Sequence, residues 1–80
     1  MWVDPNEHKI VGDVLAEFRK SAGLRQQDVA ARLNKPQSFV SAYEAGQRRI
    51  DILELMRVAD VVGADPVLVF TEITRRHSTR

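Results

Sequence analysis

The sequence predicts an all-α fold of five short helices. Three observations carry that expectation. Apolar residues recur at helical spacing in five stretches, each stretch is bounded by a capping or helix-breaking residue, and no segment alternates convincingly with period two. At 80 residues the chain is expected to form one small domain, with 1–8 as an N-terminal arm or helix extension, 9–75 as the five-helix core and 76–80 as a basic tail. A chain this short buries only about 60% of its unfolded surface, so the core must be efficient.

The first helix has an N-cap at Asp4, Pro5 at its first position and Glu7 in its first turn. Ile10, Val11, Val14, Leu15, Phe18 and Ala22 keep helical spacing until Gly23 ends the run. Gly12 lies inside the pattern and weakens it, so ordered helix is expected to begin nearer Lys9. The second helix spans about 26–33 and the third about 37–44, closed by Gly46. Asp51 and Glu54 form a D-x-x-E start for a fourth helix, expected to turn Leu53, Met56, Ala59 and Val62 inward before Gly63. Asp65-Pro66 opens a fifth, running to about Arg75.

Charge is segregated along the chain. The net charge of +1 conceals −3 over residues 1–18, +5 over 19–49, −4 over 50–74 and +3 in the tail. A basic middle between acidic flanks suits a polyanion on one face. There is no Cys, so disulfides and thiolate metal sites are excluded. No run is long and apolar enough for a membrane span, and the acidic start lacks a secretory core; a cytoplasmic location is expected. His8 and His77 stand without metal-ligand partners at useful spacing, and no phosphate loop, activated Ser or cofactor fingerprint occurs. Neither enzyme activity nor a metal or small-molecule cofactor is expected.

The stretch RQQDVAARLNKPQSFVSAYE, residues 25–44, is the most informative. Two short helices joined by Asn-Lys-Pro must pack on each other steeply, and small Ala30 permits close approach. Asn34 suits the left-handed conformation that follows a helix, where Gly and Asn are favoured. Pro36 cannot continue the incoming helix but fits at the start of the next. This is helix-turn-helix geometry, in which the second helix presents its N-terminal residues to the major groove of DNA. Phe39, Val40 and Tyr43 anchor the third helix, leaving Gln37, Ser38, Ser41 and Ala42 to face outward as base-contacting candidates. Gln pairs bidentately with the adenine edge, and Ser with several edges. Gln26, at the start of the second helix, is placed to hold a phosphate or to brace Gln37. Arg25, Lys35, Arg48 and Arg49 supply charge for phosphate contacts.

Three longer segments extend this picture: VGDVLAEFRKSAGLRQQDVAARL, FVSAYEAGQRRID and ELMRVADVVGADPVLVF. Together they resemble the phage repressor and Cro-like helix-turn-helix family, which includes the xenobiotic response element regulators, from about Val11 to Phe70. The resemblance implies a compact five-helix lambda-repressor-like DNA-binding domain with helices two and three as the motif. It implies that Gln26 contacts phosphate and supports Gln37, that Gln37, Ser38, Ser41 and Ala42 face base edges, and that Gln47, Arg48 and Arg49 follow the backbone. It also implies a structural ion pair between Arg19 and Glu44. Asn34 replaces the family's usual Gly, Lys35 a small apolar residue, Ala42 a longer polar reader and Ile50 a Pro.

Val69, Phe70 and Ile73 share a face that resembles the family's inward residues, whereas Val67 and Leu68 stand where polar side chains are usual. With Thr71 and Trp2 they make a candidate homodimer interface, since an exposed apolar patch on a small domain suits a two-fold contact. The expected function is a sequence-specific DNA-binding regulator, a repressor of a palindromic site acting as a homodimer on double-stranded DNA. The alternative is an antitoxin-type regulator that neutralises a partner protein; a third is an interaction domain that keeps the fold without reading DNA.

Overall fold

A computed structural model describes residues 4–78. It contains α1 (Pro5–Ser21), α2 (Gln26–Leu33), α3 (Gln37–Glu44), α4 (Ile52–Val61) and α5 (Pro66–Ser78). The fold is all-α, and α2 and α3 form the helix-turn-helix at the bounds expected from the sequence. α1 packs on α3, α4 and α5; α2 lies on α3 and α4; α4 lies on α5. Among the described residues no helix is long and apolar enough to cross a membrane.

The caps explain the helix starts. The Asp4 carboxylate accepts from the Asn6 N–H at 2.8 Å, and α1 begins at Pro5, four residues before the expected Lys9. Residues 5–8, expected as arm or helix extension, are part of the helix. The reason lies in Gly12. A Cβ there would sit 2.3 Å from the Tyr43 carbonyl oxygen and 2.5 Å from that of Glu44. This glycine marks where the end of α3 crosses α1 at backbone contact, so it is a packing requirement rather than a weak point in the helix. At α4 the Asp51 carboxylate accepts from the Glu54 N–H at 2.8 Å, and Glu54 accepts from the Asp51 N–H at 3.1 Å. That reciprocal box satisfies two otherwise orphaned donors.

Between α2 and α3, Asn34 adopts φ 58° and ψ 44°, the left-handed conformation its side chain tolerates. The Lys35 N–H reaches back to the Ala30 carbonyl at 2.9 Å, and Pro36 caps α3 in an extended conformation.

The core contains Val14, Leu15, Val29, Val40, Tyr43, Val58 and Val69, each 2% exposed or less, with Ala30, Leu55, Ala59 and Val62 beside them. Two inward sets differ from expectation. In α4, Leu55, Val58, Ala59 and Val62 are buried, while Leu53 and Met56 are exposed. Turning Leu53 and Met56 inward would carry Arg57 and Asp60, one turn further on, into the core as unpaired charges. In α5, Val69 is buried and Ile73 partly so, but Phe70 is exposed. Phe70 lines a shallow apolar groove with Val67, Pro66, Ile52, Leu55 and Met56. α5 also runs past Arg75 to Ser78, so the first residues of the expected tail are helical. Arg76 reaches from there to Glu17 on α1 at 2.6 Å and to Glu72 at 2.7 Å.

Candidate nucleic-acid interface

The outward side of α3 is polar. Gln37, Ser38 and Ser41 are exposed, Ala42 is half-buried between them and the core, and Gln47, Arg48 and Arg49 are exposed on the following loop. Inward, Val40 and Tyr43 fix the helix, and the Tyr43 ring meets Phe39 edge-on at 5.6 Å. Burial pushes the Tyr43 phenol up, so it stays protonated at any ordinary pH.

Beneath this surface a hydrogen-bond chain runs from the core to the start of α3. The Arg19 guanidinium donates to both Glu44 carboxylate oxygens, at 2.7 and 3.1 Å, and to the Leu24 carbonyl at 2.8 Å. Both residues are buried. The Glu44 bond raises the Arg19 pKa further, against the opposing effect of burial. Glu44 Oε1 accepts a second donor, the Gln26 amide N–H, at 2.9 Å. That contact fixes the Gln26 amide with its carbonyl outward, where it accepts from Gln37 Nε2 at a long 3.4 Å. The expected ion pair and the expected Gln26–Gln37 brace are thus one continuous chain, joined by Glu44.

The cationic residues differ in how they are held. The Arg48 guanidinium lies over the Phe39 ring at 4.4 Å, and the Lys35 ammonium lies 5.6 Å from the centre of the same ring. Arg48 also binds Glu54 at 3.0 and 3.1 Å and the Arg49 carbonyl at 2.7 Å. The Arg48 hydrogen bond, followed by the Asp51 N–H, holds the Glu54 carboxyl below the usual carboxylate range. Arg25 pairs with Asp28 at 3.1 Å, and this bond lowers the Asp28 pKa. Two of the expected phosphate contacts, Arg25 and Arg48, are therefore each engaged by a carboxylate of the same chain.

Sequence reasoning missed the link from Glu44 to Gln26, Phe39 as a platform for two cations, and Glu54 as the partner of Arg48. The last was hidden because Glu54 already had a role in the D-x-x-E box, and a separation of six residues across a loop carries no periodic signal. Trp2 lies outside the described residues. Val67 and Leu68 are exposed at 68% and 60%, as expected, and Thr71 is exposed with its hydroxyl bonded to the Val67 carbonyl at 2.7 Å.

A family model described as helix-turn-helix matches residues 15–69. The chain belongs to the phage-repressor and Cro-like helix-turn-helix family. A helix-turn-helix-type transcriptional regulator of Sinorhizobium fredii, y4dJ, is 33% identical over 63 residues, which cover 79% of this chain and 82% of that protein. Among solved structures, an XRE-family-like protein from Pseudomonas syringae pv. tomato is 37% identical, covers 89% of this chain and 87% of its own, and superposes with a TM-score of 0.78. The restriction-modification controller protein C.Esp1396I, solved as a tetramer with its natural 35 base-pair operator, is 22% identical, covers 86% and 91% of the two chains, and has a TM-score of 0.77. At that identity the likeness is one of fold. The Arg19–Glu44–Gln26 chain links α1 to both helices of the helix-turn-helix unit and ends on one outward residue of its second helix, Gln37.

Proposed function

We propose that this helix-turn-helix transcriptional regulator reads DNA sequence directly, as a homodimer on a palindromic operator, and represses transcription there. The observation that carries the reading is the hydrogen-bond chain from Arg19 through Glu44 and Gln26 to Gln37. A buried ion pair fixes the Gln26 amide, whose carbonyl meets the exposed Gln37 amide at a long 3.4 Å at the start of α3, where a major-groove reader belongs. With one Nε2 proton directed at Gln26, the other is available to adenine N7, and Oε1 can accept from adenine N6. Ser38, Ser41 and Ala42 complete the base-facing surface. Gln26, Lys35, Gln47 and Arg49, with Arg25 and Arg48 once released from their carboxylates, meet phosphates. The controller-protein tetramer on its operator supports this use of the fold.

Val67, Leu68 and Thr71, extended by the groove residues Ile52, Met56 and Phe70, supply the two-fold contact. Burying about 400 Å² of apolar surface there is worth roughly 10 kcal/mol before association entropy removes much of it. The deciding experiment is selection from a random duplex library at near-physiological salt. Enrichment of a palindrome with half-site centres about 34 Å apart supports both reading and dimer. Salt-sensitive binding without enrichment overturns the sequence-reading proposal. The same exposed apolar face favours the second reading, an antitoxin-type contact with a partner protein; a second chain that co-purifies through Val67 and Leu68 would establish it.

A further inference from the structure

We infer that Glu54 acts as a resident anion on Arg48, occupying its guanidinium in the free protein so that DNA phosphate must displace it, and thereby limits affinity for duplex of any sequence. This rests on the DNA-binding reading above. The geometry is that of a phosphate site already filled. A guanidinium presents a planar fork that fits a carboxylate and a phosphate in the same two-pronged way. Arg48 offers that fork to Glu54 at 3.0 and 3.1 Å.

The two partners differ in access and in freedom. The Arg48 side chain is 41% exposed and that of Glu54 only 20%, so an incoming phosphate reaches the cation while the carboxylate stays shielded. Glu54 is tied to the start of α4 by the Asp51 N–H, so it cannot follow Arg48 outward. Arg48 keeps its stacking on Phe39 and its bond to the Arg49 carbonyl, which pre-place it beside α3 without the carboxylate. Removing Glu54's charge therefore frees the cation without unmaking its platform.

The test is a four-protein cycle of wild type, Glu54→Gln, Arg48→Gln and the double variant, measured by fluorescence anisotropy with a mixed-sequence duplex across a salt series. Gln at position 54 still accepts from the Asp51 N–H and preserves the helix start; unchanged thermal unfolding checks this. Glu54→Gln is expected to bind several-fold tighter, because no ion pair is broken before Arg48 meets its phosphate, with a log–log salt slope steeper by up to about one unit, because no displaced carboxylate is left to take up a cation. In the Arg48→Gln background the same substitution is expected to leave the slope unchanged. An equal gain in both backgrounds would mean general charge repulsion and overturn the inference, as would no gain in either. If the wild type binds no duplex at low salt, the DNA-binding reading fails with it, whereas wild-type binding with an unresponsive cycle sinks only the role of Glu54.

Discussion

Gln37 is the outermost member of a chain whose other end, Arg19, is buried. Replacing it with Ala is expected to cost about 1–3 kcal/mol of operator affinity and to relax preference at one base pair, read by binding to a panel of single-base operator variants. Arg49→Ala should instead weaken all sequences alike and flatten the salt dependence by about one unit. If Gln37→Ala binds with its preference intact, the reading residue has been misassigned. The outward polar residues of α3 were legible because the apolar residues between them fix which side faces the core. The pairing state of the cations was not, since Arg48 meets Glu54 only after the loop folds back, and local spacing does not encode that return.

Helix ends were legible nearly to the residue at Asn34, Asp51 and Asp65-Pro66, which all stand at element boundaries; at Asp4 the cap was legible, but the helix was expected to start nearer Lys9. Helix faces were less so. α4 carries apolar residues around most of its circumference, so its inward side is decided by the charges that must stay out. Gly12 shows the same limit, because propensity registers only a weak helix former where the structure has a crossing of two backbones. Gly12→Ala is expected to destabilise by the upper part of about 1–3 kcal/mol, outweighing the roughly 1 kcal/mol that Ala gains over Gly in a helix. A rise in the melting temperature would show that α1 and α3 can separate freely. Glu44→Ala leaves the Arg19 charge buried without its partner, and a loss of about 3–5 kcal/mol is expected in chemical denaturation.

Across the whole molecule, the polar side of α3 and the apolar groove of α4 and α5 belong to different elements, so each can be altered alone. Val67→Glu should leave folding intact, because Val67 is 68% exposed, and should yield a monomer in sedimentation under conditions where the wild type is expected to sediment as the proposed dimer. A wild type that sediments as a monomer at tens of micromolar would remove the two-fold contact. The α1–α5 junction contributes to the acid response, beside Glu54 and Asp28. Hydrogen bonds from Arg75 and Arg76 hold the Glu72 carboxyl at about 2, and Arg76 lowers that of Glu17. Carboxyls depressed in the fold contribute fully above their ordinary value of 4.5, and that contribution is lost as pH falls through the folded values. The urea midpoint should therefore drop as pH is lowered from about 4.5 towards about 2, and Arg76→Gln should blunt the drop.

The fixed amide of Gln26 also restricts how the regulator and its binding site can diverge together over evolutionary time. Its carbonyl faces position 37, and it cannot flip without turning that carbonyl onto the Glu44 carboxylate. A donor such as Arg at position 37 keeps the contact and opens a route to guanine. An acidic residue there, the kind that reads cytosine, would set acceptor against acceptor. Under the proposed reading of adenine by Gln37, single substitutions would carry the preferred site towards guanine, while the path to cytosine would require positions 26 and 37 to change in concert.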